Sequence, residues 1–293
     1  TDSSAPYREA PAAAASLHAG ELVVHGGTDP SVLPASISPD YPDSSLLWVQ
    51  RRAWAEVYPL IGVRLGYRYD LDRSPEGLDS FLTLVASSAV SQLDSDAQRL
   101  QVLSALGIDV LIANRALDSS VEAGATLRGR DRNFGVGLWI YGLDQRAEEV
   151  RLVGDVRPAP LVNDAVTAMI APDFSPRSSA VMAGDFERLR GSSGRVEVLA
   201  RGPESLRVRT RSADEGVLVW QRSHLPLYRA TVDGQDVPTR VANLTRLAVQ
   251  VPPGEHEVRI WVDRRPTRLA FGLSLVGLLL FGGLAARGRR LDL

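Results

Sequence analysis

Residues 269–286 form eighteen consecutive positions without a charge, and ten of them are Leu, Phe or Val. As a helix, such a stretch spans about 27 Å at about 1.5 Å per residue, close to the roughly 30 Å hydrocarbon thickness of a bilayer. Its Leu, Phe and Val side chains favour insertion by roughly 3 to 6 kcal/mol before the glycines are counted. A transmembrane helix is therefore expected here. The competing reading is a buried helix of a soluble core, but such helices seldom run this long with a single Ser as their only polar side chain. Arg264, Arg265 and Arg268 precede the stretch, and Arg287, Arg289 and Arg290 follow it. This balance leaves the orientation undecided by charge.

A chain of 293 residues with 44% hydrophobic content has room for two ordinary domains besides that segment. The net charge of −2 and the lack of a concentrated basic run argue against nucleic acid as a partner. All basic side chains other than His are Arg, a bias most simply assigned to base composition. With no cysteine there is no disulfide framework and no thiolate chemistry. His18, His25, His224 and His256 show no metal-ligand spacing, so neither a metal site nor a cofactor is expected. The start at Thr1, in a polar and turn-prone stretch, reads as a piece of a longer protein or as a processed product.

The first half alternates strand and helix signals. Residues 21–25 read as a buried strand closed by Gly26 and Gly27, with a structural turn favoured over a phosphate cradle because no partner motif accompanies it. A helix is expected over 45–58, a strand over 63–69, and an amphipathic helix after Ser74 and Pro75 through Leu78, Phe81, Leu82 and Val85. Asp94 is placed to cap a further helix carrying Leu100, Leu103 and Leu106, with Gly107 as its stop, and an apolar strand follows over 108–113. Strands separated by helices imply a partly parallel sheet.

Past Gly135 the helical signals thin to one short run over 164–170, which Asn163 is placed to cap and Pro172 to end. From Arg195 onward, strand patterns recur about every ten residues, as in a β-sandwich. Leu206, Val208 and Thr210 alternate with Arg207, Arg209 and Arg211, which predicts one buried and one charged face. Asp233-Gly234 is the pair that a type I′ hairpin demands, and Pro252-Pro253-Gly254 breaks the chain before a final strand. Trp261 near its end reads either as an aromatic anchor at a membrane interface or as a packed sandwich residue. Asn243-Leu244-Thr245 matches a glycosylation sequon, with chance the simpler explanation.

The run Leu227-Tyr228-Arg229-Ala230-Thr231-Val232-Asp233-Gly234, then Arg240, Ala242-Asn243 and Val249-Gln250-Val251-Pro252-Pro253-Gly254-Glu255-His256-Glu257-Val258 ahead of the apolar stretch, resembles the C-terminal end of YfhO-type bacterial membrane proteins. Gly66-Tyr67-Arg68-Tyr69-Asp70 and Leu106-Gly107-Ile108-Asp109-Val110-Leu111-Ile112 resemble the extracytoplasmic part of the same family. That family belongs to the GT-C-like, polyprenyl-phosphate-sugar-dependent glycosyltransferases. The residue patterns and the resemblance together give an α+β multidomain chain: a linker over 1–18, a small α/β domain over 19–134, and a mainly β-sandwich domain of jelly-roll or Ig-like type over 135–265. A C-terminal transmembrane helix over 266–287 and an Arg-rich tail over 288–293 complete it. It further implies a bacterial plasma-membrane location with the folded parts extracytoplasmic and the tail cytoplasmic. The implied partners are the lipid bilayer and, through the full-length protein, a polyprenyl-phosphate-linked sugar and an envelope glycan acceptor. The family's catalytic segments lie between earlier membrane helices, so no catalytic residue is expected in this chain.

Two functions remain open on these grounds. One is the accessory outer portion of such a transferase. The other is a non-enzymatic, membrane-tethered envelope or carbohydrate-binding module. For either, Trp220, His224 and Tyr228 around the loop carrying Pro226 are candidate glycan contacts, with core packing of Trp220 and Tyr228 as the alternative. A soluble hydrolase is disfavoured, because no nucleophile, acid pair or metal set converges.

Overall fold

The computed structural model describes residues 15–18, 21–26, 68–69, 81–113, 115–118, 121, 124–133, 136–265 and 274. The helix expected over 45–58 lies outside these residues, as do the start of the following helix, Gly27 and, apart from Ser274, the apolar stretch 269–286. Among the described residues, no helix is long and apolar enough to cross a membrane.

The described chain is rich in β-structure and forms three sheets. The first contains β1 (Leu22–Gly26), β2 (Arg68–Tyr69), β3 (Val110–Ala113), β4 (Ala125–Asn133) and β5 (Val136–Leu143), in the order β2-β1-β3-β5-β4. β1 runs parallel to β2 and β3, while β5 is antiparallel to β3 and β4. The partly parallel sheet expected from the alternating signals is therefore present, and the division expected between 134 and 135 separates β4 from β5, which pair in this one sheet. Helices α1 (Phe81–Ser91) and α2 (Asp96–Ala105) lead into β3.

α2 begins one residue later than the Asp94 signal suggests. Ser95 is the cap, and its hydroxyl accepts the Gln98 N–H at 3.3 Å. Asp96 instead turns inward and receives Arg115 at 2.6 and 2.8 Å and the Asp118 N–H at 3.1 Å. Burial raises the Asp96 pKa, but these donors outweigh it and hold the carboxyl below its ordinary value.

The remaining strands are β6 (Val150–Val153), β7 (Asp155–Ala159), β8 (Ser179–Ala183), β9 (Leu189–Arg190), β10 (Arg195–Gly202), β11 (Ser205–Ser212), β12 (Gly216–Ser223), β13 (Tyr228–Val232), β14 (Gln235–Val237), β15 (Thr239–Ala242), β16 (Arg246–Val251) and β17 (Gly254–Val262). A second, antiparallel sheet has the order β10-β11-β17-β13-β14, and a seven-stranded third sheet runs β6-β12-β16-β15-β8-β7-β9. Helix α3 (Val162–Met169) links the parallel pair β7 and β8. It starts earlier than Asn163 implies: Leu161 precedes it, and Asp164 accepts the Leu161 N–H at 3.2 Å.

The second sheet packs against part of the third. Leu206, Val208, Val258 and Ile260 meet Leu218, Trp220, Leu247 and Val249 in one cluster. Each such side chain, fully buried, contributes roughly 1.5–3 kcal/mol. β11 shows the expected alternation, with Leu206, Val208 and Thr210 buried and Arg207, Arg209 and Arg211 turned to solvent. The Asp233-Gly234 turn has φ of 50° and 81°, the left-handed pair of a type I′ hairpin, and it joins β13 to β14.

The opposite face of the third sheet closes on itself around Val153, Met182, Val217, Val219, Ala242 and Ala248. Elsewhere the third sheet meets the helices: Ala159 and Val181 share a core with Leu103, Leu106, Met169 and the first-sheet residues Leu111 and Tyr141.

Gly107 stops α2 as expected. Its φ is +69°, and Gly107 and Ile108 donate to the Ser104 and Leu103 carbonyls at 3.0 and 3.1 Å. The next two carbonyls are met by side chains from the far end of the chain. Gln221 Nε2 and Asn243 Nδ2 each donate to Ala105 O at 3.2 Å, and Arg246 Nε and Nη2 donate to Leu106 O at 2.9 and 2.6 Å. A cationic group at the negative end of a helix dipole is favourable, most so when partly buried. Asn243 is fully buried, and its Oδ1 accepts the Val181 N–H at 2.9 Å. In the folded chain the sequon is thus a structural joint.

Candidate functional site

The structure buries two of the three expected glycan contacts together and leaves the third at the surface. Trp220 is 0% exposed and Tyr228 6%, and their rings meet edge to face at 6.0 Å inside the sandwich. Neither ring offers a face to a ligand, so both take the core role. His224 is half-buried. Its Nε2 lies 3.2 Å from Thr239 Oγ1, and burial lowers its pKa, which favours the neutral ring. Of the three, His224 alone reaches the surface, beside the exposed Leu225 and Leu227.

A different aromatic residue faces outward. Along β17, Val258 and Ile260 are buried, so the two-residue period of a strand puts Arg259 and Trp261 on the solvent side of the second sheet. Trp261 therefore does not pack into the sandwich. In register it lies between Ser205 of β11 and Arg229 of β13. Arg229, Asp236, Trp261, Asp263 and Arg265 line an open cleft of about 240 Å³. The Arg259 guanidinium lies over the indole, 5.3 Å from the ring centre, and is not part of the cleft lining.

Local folding explains why these groups converge. The tight Asp233-Gly234 turn brings β14, with Asp236, beside β13. At the end of β17, the Asp263 N–H donates to Leu227 O at 2.8 Å, and Asp263 Oδ1 accepts the Arg265 N–H at 2.9 Å. The chain thereby turns over the cleft as it leaves the sheet.

The charges on this face divide into two groups. Arg207 forms a two-pronged pair with Glu257 at 2.6 and 2.9 Å, Arg209 meets Glu197 at 3.0 Å, and Arg264 meets Glu204 at 3.1 Å. In the cleft, Arg229 and Arg265 have no ion-pair partner among the described residues, and neither has Asp236. Two guanidinium donors, two carboxylate acceptors and an indole suit a neutral, hydroxyl-rich ligand. Carboxylates accept sugar hydroxyls, guanidinium groups donate to ring and hydroxyl oxygens, and the indole covers an apolar C–H face.

Single residues did not betray this site in the sequence, because it depends on cross-strand register between positions about thirty residues apart. The usable signal was the parity of Trp261 with the buried Val258 and Ile260. Among the described residues, no group of three or more His, Asp or Glu side chains is placed to hold a metal ion. No family model, curated protein or solved structure matches the chain.

Proposed function

We propose that this chain is the extracytoplasmic accessory region of an integral membrane glycosyltransferase that takes sugar from a polyprenyl-phosphate carrier. In this reading an α/β part is followed by a β-sandwich and a C-terminal membrane helix, and the cleft at Trp261 holds the cell-envelope acceptor. One observation carries it: an outward indole flanked by unpaired Arg229, Asp236 and Arg265, placed where the chain leaves the last strand toward the apolar stretch 269–286. A hydroxyl-rich chain held there lies close to the membrane surface, where a lipid-linked donor is presented. The family resemblance supports the same reading, since the turns at Asp233-Gly234 and Gly254 are among the residues that carry it. Catalysis belongs to membrane segments outside this chain.

The test compares Trp261→Ala and Asp236→Asn with the unsubstituted protein, in its membrane-embedded form, for acceptor glycosylation. Both variants are expected to raise the acceptor KM while leaving donor binding unchanged. Unaltered acceptor kinetics in both would remove the cleft from the reaction. Retained glycan binding by a full-length protein without transfer would favour the tethered binding module.

A further inference from the structure

The closed face of the seven-stranded sheet carries two buried guanidinium groups that are not equivalent. Arg246 is committed to the Leu106 carbonyl. Arg151 on β6 is 4% exposed, and its Nε, Nη1 and Nη2 have no hydrogen-bond acceptor among the described residues. Its neighbour Leu152 points into the sandwich, so Arg151 points to the other face, opposite Val219 in register and next to Ala248 one strand on. Those side chains supply no acceptor. Gln221, two residues along β12 on the same face, spends its Nε2 on Ala105 O, and its buried Oε1 bonds neither the guanidinium nor any other group among the described residues. Glu148, whose field acts on Arg151, is exposed and forms no bond to it.

Burial first, and the nearby Arg246 charge second, bring the Arg151 pKa down to about 9, so the group is still cationic at neutral pH. A buried charge without a counter-charge is strongly unfavourable, whereas an apolar side chain of similar size in its place is tolerated. The position therefore calls for an anion. The apolar neighbours set its class: Val219 and Ala248 carry no polar group to replace the hydration shell of a polyatomic or divalent anion. We propose that Arg151 binds one small, weakly hydrated monovalent anion of the halide class, with chloride the available ion in solution. The bound ion neutralises the centre of the sheet next to the joint between Arg246 and α2.

The experiment follows thermal unfolding of the full chain in mild detergent as chloride is replaced by gluconate at constant ionic strength. The unsubstituted chain is expected to lose several degrees in gluconate and to regain them in bromide, while Arg151→Met unfolds at one temperature in all three salts. Equal unfolding temperatures of the unsubstituted chain in chloride and gluconate would overturn the proposal. So would an Arg151→Met variant that keeps the chloride dependence. Should that variant not fold, crystals of the unsubstituted chain grown in bromide decide: an anomalous peak beside the Arg151 guanidinium supports the site, and its absence there rejects it.

Discussion

Trp220 and Trp261 lie on opposite sides of the same sandwich. Trp220, on the third sheet, faces inward and is sealed by Tyr228, Leu218 and Leu247. Trp261, on the second, faces outward and ends a row of Arg, Glu and Ser side chains. The difference arises from strand parity rather than residue type, and it divides stability from recognition. An aromatic ring in a strand gains packing energy on one face and is available to a ligand only on the other.

The largest effect expected is on the inner ring. Trp220→Ala should cost about 3–5 kcal/mol, read as a fall in the urea midpoint, because the cavity it leaves cannot collapse between two sheets. A variant of near-normal stability would erase the contrast. Next comes the ligand face: Trp261→Ala should weaken binding of an envelope oligosaccharide about tenfold or more, while changing stability by less than about 1 kcal/mol. Isothermal titration alongside thermal melts measures both, and a large loss of stability would mean that Trp261 is a packing residue after all.

Gly107→Ala probes the seam between helix and sheet. A non-glycine residue at φ +69° costs about 1–2 kcal/mol, and the added carbon would lie 2.8 Å from Gln221 Cδ. Calorimetry should show that loss, and the additional Gln221→Ala change should recover part of it.

The smallest effect concerns the two turns that frame the outer face. His256 Nδ1 lies 2.6 Å from Asp233 Oδ2 and its Nε2 lies 3.0 Å from Pro253 O, so both ring nitrogens face acceptors and the imidazolium fits best. The Asp233 carboxylate, then the Pro253 carbonyl, raise the His256 pKa, and His256, then the Glu257 N–H, lower that of Asp233. The His256 contribution is complete below its unfolded value of about 6.5 and is lost as pH rises through the raised folded value. The Asp233 contribution is complete above about 3.9 and is lost as pH falls through the lowered folded value. His256→Gln should therefore be less stable than the unsubstituted chain mainly between about pH 4 and 6.5, with the two melting curves converging at alkaline pH. A constant gap across the range would contradict the pairing.

Much of the β-structure was legible where one face meets water. Leu206, Val208 and Thr210 against Arg207, Arg209 and Arg211 gave β11 its faces, Asp233-Gly234 its hairpin and Gly107 the end of α2. The strands β4 to β9 gave no such signal. β6 and β8 are four or five residues long and buried almost throughout, Arg151 and Ser179 included, so polarity does not mark which positions face water. The start of α2 lies at Ser95 because several polar residues in a row compete for one capping geometry, and that of α3 lies at Leu161, where no side chain caps and Asp164 reaches back to the Leu161 N–H. The burial of Arg246 and Asn243 leaves no mark in the sequence, since nothing local announces a carbonyl waiting on another element. The cleft is hidden for a related reason: Trp261 stands out in the sequence, but its neighbours Arg229 and Asp236 come from strands whose pairing only the fold defines.

The joint at Ala105 and Leu106 bears on how this polypeptide is made. Two carbonyls of an early helix find their donors 116 to 140 positions later, at Gln221, Asn243 and Arg246. A nascent chain emerging in order must leave that helix end wet until nearly all the sandwich has been synthesised. Dissecting the gene product into an amino-terminal and a carboxy-terminal half would strand those groups on opposite fragments, and co-expression of the halves should rescue what neither does alone.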